Sequence, residues 1–152
     1  MANLYYYCCS YPLAQNSVIE PGNWGRIIRQ YHLGAPQMHW LPLREYAFEL
    51  VRSKEFKDLP SRLVAAFVCE TEADMKKFMA NGRSFDMPYE VELVEPSLPF
   101  HRGCLTAFDN ANAGTLNQLE ERARVYWQGT NILFPELITM SPLRIIRRLD
   151  NT

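Results

Sequence analysis

Two hydrophobic periodicities share this chain, one of about two residues and one of about three and a half. Leu4-Tyr5-Tyr6-Tyr7-Cys8-Cys9 is dense in strand-forming residues and closes at Tyr11-Pro12, which predicts a first strand. Val18-Ile19 leads into the turn signal Glu20-Pro21-Gly22. Asn23 is the expected N-cap of a helix carrying Trp24, Ile27, Ile28 and Tyr31. Residues 33–40, with Gly34, Pro36 and His39-Trp40, read as loop. A second helix follows from about Pro42 to Phe56, with Leu43, Tyr46, Ala47, Leu50 and Val51 on one stripe.

The run Leu63 to Cys69 is apolar throughout, which predicts a strand covered on both faces and therefore central in its sheet. Thr71 is placed to cap a third helix with Met75, Phe78 and Met79 inward, closed by Asn81-Gly82. From Tyr89 to Val94, Val91 and Leu93 alternate with Glu90 and Glu92, the pattern of a half-exposed strand. Pro96 and Pro99 interrupt it, and a short strand is expected within His101–Phe108 before the polar, flexible stretch from Asp109 to Gly114. Thr115 and Gln118 have the spacing of a capping box for a fourth helix, which buries Leu116, Leu119, Ala123 and Tyr126 and ends at Gly129. The last strands are about Leu137–Met140 and Leu143–Arg148.

The predicted order, β-α-α-β-α-β-(β)-α-β-β, lacks the regular rhythm of a doubly wound sheet and points to an α+β domain with about four helices. With 152 residues and no linker or repeat, one domain over 1–152 is expected. A net charge of −1 gives no overall field toward nucleic acid or anionic lipid, although Arg144, Arg147 and Arg148 cluster near the end. The N-terminal residues lack the basic start and apolar run of a leader, and no apolar run reaches membrane length, so a cytoplasmic protein without a membrane partner is expected. The four cysteines, with Cys8 and Cys9 adjacent and no CxxC, read as free thiols. His32, His39 and His101 form neither HxH nor HExxH, which argues against a zinc site.

Dinucleotide, P-loop and nucleophile-elbow signatures are all missing from the sequence. Three features remain as candidate chemistry. Tyr5 and Tyr7 fall on one face of the first strand and Tyr6 on the other, so at least one ring faces core or cleft. Ser61-Arg62 stands at the entrance of the apolar strand, where Arg62 either reaches a cleft or pairs with Glu45 or Glu49 of the preceding helix. Glu136 opens a strand just after Pro135, near Tyr126 and Trp127, as a carboxylate at a strand mouth facing a partly apolar cleft.

The aromatic first strand, Ser17-Val-Ile-Glu-Pro-Gly-Asn-Trp-Gly, Pro60-Ser-Arg before an apolar strand, Tyr126-Trp-Gln-Gly and Pro135-Glu-Leu-Ile together carry a resemblance. The chain resembles a family of small bacterial and phage proteins of unknown function, itself similar in layout to ADP-ribosyltransferases. The resemblance implies mixed or antiparallel sheets of the ADP-ribosyltransferase type and NAD as cofactor. It gives Glu136 the role of the catalytic glutamate and makes Ser61 the nearest match to the NAD-site serine. Where such enzymes carry Arg or His on the first strand, this chain has Tyr6, Tyr7 and Cys8, which moves the anchoring charge to Arg62 or Arg26. Trp24, Trp127 and the tyrosines are then the candidates for stacking on nicotinamide or adenine.

The implied function is mono-ADP-ribosyl transfer from NAD to a macromolecular acceptor: protein, RNA or DNA. As a toxin or phage effector, the protein would also meet an antitoxin or inhibitor protein. Two alternatives stand beside this reading. One is a non-catalytic binding protein on the same scaffold; the other is a nucleic-acid-binding module that uses the terminal arginines.

Overall fold

A computed structural model describes residues 3–33, 40–105, 114–130 and 132–149. The expected loop at 34–39, the end of the expected strand at 106–108 and the polar stretch 109–113 lie outside those residues. The described elements run β1 (Leu4–Cys9), β2 (Val18–Ile19), α1 (Asn23–Ile28), α2 (Trp40–Glu55), β3 (Ala66–Val68), α3 (Glu72–Ala80), β4 (Met87–Leu93), β5 (Phe100–Cys104), α4 (Leu116–Gln128), β6 (Pro135–Thr139) and β7 (Leu143–Arg148). They form an α+β fold of two antiparallel sheets, ordered β1-β4-β7-β2 and β3-β6-β5.

Strand alternation sorts the side chains into separate cores. Tyr5, Tyr7 and Cys9 of β1 join Tyr89, Val91, Leu143 and Ile145 against Ala66, Val68 and Leu137 of the other sheet. Tyr6 and Cys8 face the opposite way, onto Cys69, Met75 and Leu149 beneath α3. On β6, Leu137 belongs to the inter-sheet core, whereas Ile138 packs with Phe48 and Val51 of α2 and with Leu119, Ala123, Tyr126 and Trp127 of α4. Full burial of one such aliphatic side chain contributes about 1.5–3 kcal/mol. The face of β6 that carries Ile138 also carries Glu136, so the strand directs that carboxylate toward the helices.

The local stop and start signals hold where they depend on neighbouring residues. Thr71 accepts from the Asp74 N–H. Thr115 and Gln118 form the reciprocal capping box, and Gly129 ends α4 at φ 64°. Asn23 is different: the N-cap of α1 is Gly22, at φ 102°, and no side chain caps the helix. A left-handed backbone there favours glycine, and the Asn23 side chain accepts from Arg26 instead. Helix α2 starts at Trp40, two residues before the expected Pro42, which falls in the first turn where a missing N–H loses no helical bond.

The expected central strand is a correction. Only Ala66–Val68 is strand, and it lies at the edge of its sheet, with β6 in the middle. Residues 62–64 turn, and Val64 is exposed. From Ala65 to Cys69 the run is nevertheless covered, because a bridge between Tyr6 and Cys69 lays β1 beside the β3 edge and joins the two sheets. Periodicity registers burial but cannot tell pairing on two edges from an edge covered by a neighbouring sheet. Likewise Glu90, expected on an exposed face, is buried because Arg147 of β7 closes over it.

Candidate functional site

Four elements converge on one buried polar cluster. Arg62 sits in the turn before β3, Glu45 on α2, Tyr126 on α4 and Glu136 on β6, and all four are at least nine-tenths buried. The Arg62 guanidinium binds Glu45 through two bonds, Nε to Oε2 at 3.0 Å and Nη2 to Oε1 at 3.1 Å. Its Nη1 donates to the Tyr126 hydroxyl at 2.8 Å and to Oε2 of Glu136. The Tyr126 hydroxyl donates in turn to the same Glu136 Oε2 at 2.7 Å. Arg44 adds an ion pair to Glu45 at 3.0 Å. The two arginines balance the two carboxylates, which is the condition for holding such charges out of water.

These partners fix the protonation states. Burial raises the Glu45 carboxyl, but the charge and hydrogen bonds of Arg62, helped by Arg44, outweigh it and hold the group at about 2. The Trp24 indole N–H is buried and makes no hydrogen bond of ordinary geometry, yet it lies near enough to Glu45 to help hold that charge. Burial by itself would lower Arg62; the facing Glu136 and Glu45 carboxylates prevail, and it stays a cation. Burial lifts the Tyr126 phenol well above its ordinary value, so it remains a neutral donor.

A glycine makes the Tyr126 contact feasible. Gly103 of β5 pairs with Glu136 across the ladder, and a Cβ there would stand 2.1 Å from Cε2 of Tyr126. The ring therefore lies close against the strand, and its hydroxyl reaches the Glu136 carboxylate. His101, on the same face of β5, bonds the Tyr126 carbonyl through Nε2 at 2.9 Å. Since a carbonyl only accepts, Nε2 carries the proton. Burial, the largest influence, lowers this imidazole and keeps it neutral.

Both hydrogen bonds to Glu136 fall on Oε2, while Oε1 has no hydrogen-bond partner among the described residues. A tenth of the side chain remains open. The arrangement is thus a carboxylate with one oxygen clamped by a cation and a phenol, and the other without a partner among the described residues.

A family profile described as "Protein of unknown function (DUF2441)" matches residues 19–151. The chain belongs to that family. The comparison with curated proteins gives no match. The matched span of this DUF2441 protein takes in Glu45, Arg62, Gly103, Tyr126 and Glu136, and begins beyond β1 with Tyr6 and Tyr7.

Of the residues singled out from sequence, the fold brings Glu136 and Arg62 into contact and places Trp24 at the Glu45 end of the same cluster. Trp127 lies behind it, stacked edge-on against Tyr126 at 4.9 Å with its N–H donated to the Phe48 carbonyl. Ser61 is turned to α2, donating to Glu49 at 2.8 Å and accepting from the Leu63 N–H. Arg26 is exposed on α1. Tyr6 and Tyr7 sit in two different cores, so no one cleft receives both. The open choice for Arg62 resolves toward the preceding helix: it is buried and pairs with Glu45 rather than reaching an open cleft, and it pairs with Glu136 of β6 as well. Gly103 was not among the residues singled out from sequence, and His101 was set aside there with the other histidines. The signal for the first was present, since an isolated glycine inside a strand marks close approach by another group.

Proposed function

We propose that this protein is a mono-ADP-ribosyltransferase that takes ADP-ribose from NAD and delivers it to a macromolecular acceptor, with Glu136 as the catalytic carboxylate. The observation that carries the reading is the one-sided clamp on Glu136, with Oε2 held by Arg62 and Tyr126 and Oε1 unpartnered among the described residues. The bond from ribose C1′ to nicotinamide breaks with its electron pair leaving on nicotinamide, which departs neutral. Positive charge develops on the ribose ring, and the acceptor nucleophile bonds to C1′ and releases its proton to solvent. A carboxylate oxygen fixed beside the 2′-hydroxyl stabilises that charge without reorganising in the transition state.

In this reading Arg62 orients Glu136, because its bonds are taken up by Glu45, Tyr126 and Glu136. Arg26, exposed on α1, is the cation left for the pyrophosphate, and half-buried Trp24 is an aromatic surface at the Glu45 end of the cluster. The setting proposed with it is a cytoplasmic toxin or phage effector restrained by an antitoxin or inhibitor protein. The second reading, a binding protein on the same scaffold, is favoured by one observation: Arg62 already neutralises Glu136. Use of the terminal arginines for nucleic acid is weakened because Arg144 and Arg147 are paired with Glu92 and Glu90.

Nicotinamide release from NAD, with and without cell lysate as acceptor source, tests the proposal on wild type and Glu136→Gln. The variant is expected to release nicotinamide at least ~100-fold more slowly, the scale for loss of one preorganised electrostatic contact. Equal rates above background overturn the assignment. Thermal stabilisation of the wild type by NAD without turnover points to the binding scaffold instead.

A further inference from the structure

We infer that Tyr126 is a positioning residue that decides which oxygen of Glu136 is presented to the reacting sugar; the inference rests on the transferase reading of the same carboxylate. A carboxylate has two equivalent oxygens and rotates about its last torsion between them. Arg62 by itself does not fix that rotation, since it bonds Glu136 through Nη1 alone. Its Nε and Nη2 are given to Glu45, where the contact is the two-point one. The second point on Glu136 comes from the Tyr126 hydroxyl, which lands on the same oxygen as Nη1. Two donors converging from different elements on one oxygen define the plane of the carboxylate and turn Oε1 away from them.

The phenol is in turn over-determined. Its ring lies over Gly103, where no Cβ fits, and touches Phe48 at 5.5 Å, His101 at 5.5 Å and Trp127 at 4.9 Å between centroids. Its backbone carbonyl is held by His101. A core aromatic needs the ring contacts alone. The absent Cβ at residue 103, directly opposite Glu136, is what brings the hydroxyl to the carboxylate.

The test is Tyr126→Phe, which keeps the ring and removes the hydroxyl. Infrared difference spectra against Glu136→Gln isolate the Glu136 carboxylate stretch in wild type and in the Tyr126→Phe background. Two bonds on one oxygen and none on the other among the described residues hold the C–O bonds unequal, so the wild type should show a widely split pair of bands, and Tyr126→Phe a narrowed one. In nicotinamide release kcat should fall about 10- to 100-fold, the range for losing a group that orients a reacting one, with KM for NAD little changed. An unchanged carboxylate band in a folded Tyr126→Phe protein overturns the inference, as does a rise in KM at constant kcat. A narrowed band in a protein whose wild type releases no nicotinamide upholds the positioning and removes the transferase reading.

Discussion

Gly103 and Tyr126 meet so closely that a single methyl group on the glycine would overlap the aromatic ring, 2.1 Å from Cε2 and 2.3 Å from Cζ. The ring cannot retreat, because Phe48, His101 and Trp127 surround it. The glycine is thus a condition for the hydrogen bond between Tyr126 and Glu136, made from the neighbouring strand.

Gly103→Ala should therefore destabilise the fold by about 1–3 kcal/mol through overpacking and separate the phenol from the carboxylate. Urea unfolding measures the first effect and the Glu136 carboxylate band the second. Gly103 is not among the positive-φ glycines, so the expected cost comes from the steric overlap and not from backbone strain. A Gly103→Ala protein as stable as wild type would show that α4 can shift outward freely.

Removing one charge from the cluster leaves the others buried without balance. Glu45→Gln is expected to lower stability by about 3–5 kcal/mol, the range for breaking a buried pair from one side. Its carboxyl stands at about 2 when folded, below the ordinary 4.5, so the stability it contributes is complete above 4.5 and is lost as pH falls through about 2. Acid unfolding curves of the two proteins should differ in that window, the wild type losing stability more steeply. Parallel curves would mean that Glu45 titrates normally.

His101 titrates in the other accessible range. Burial lowers it below its ordinary 6.5, so the unfolded chain takes up the proton first and stability falls as pH drops from 6.5 toward the folded value. Melting temperatures of wild type and His101→Gln between pH 7.5 and 5 are the measurement. The variant should start lower, lacking the fitted ring, and decline less over this range. An equal decline would assign the titration elsewhere.

The thiols should be slow to react in the folded protein. Burial pushes both Cys8 and Cys69 up to about 12, which leaves roughly one thiolate in ten thousand at pH 8. Cys9, whose thiol donates to the Tyr11 carbonyl near the surface, should label first with a thiol reagent. Denaturation should expose all four cysteines as free thiols; fewer would mean that a disulfide forms in solution.

What the sequence determined by itself is the set of features written within a few residues of each other. The Thr71 cap, the Thr115–Gln118 box and the Gly129 stop are closed by neighbours along the chain, and the split of Tyr5 and Tyr7 from Tyr6 follows from strand geometry. The prominence of Glu136 and Arg62 was legible too, since charged residues at the ends of apolar strands are few. Their relationship was not. Arg62 reaches Glu45 across 17 positions, Tyr126 across 64 and Glu136 across 74. Those partners are selected by the order and register of strands and by how two helices settle on the sheet. Apolar periodicity registers that Ala66–Val68 is covered, but only the assembled sheets decide that β3 is an edge and β6 the centre. The same assembly sets Gly103 opposite Glu136 and places Tyr126 above it, because a contact between distant segments exists only once each has been packed against something else.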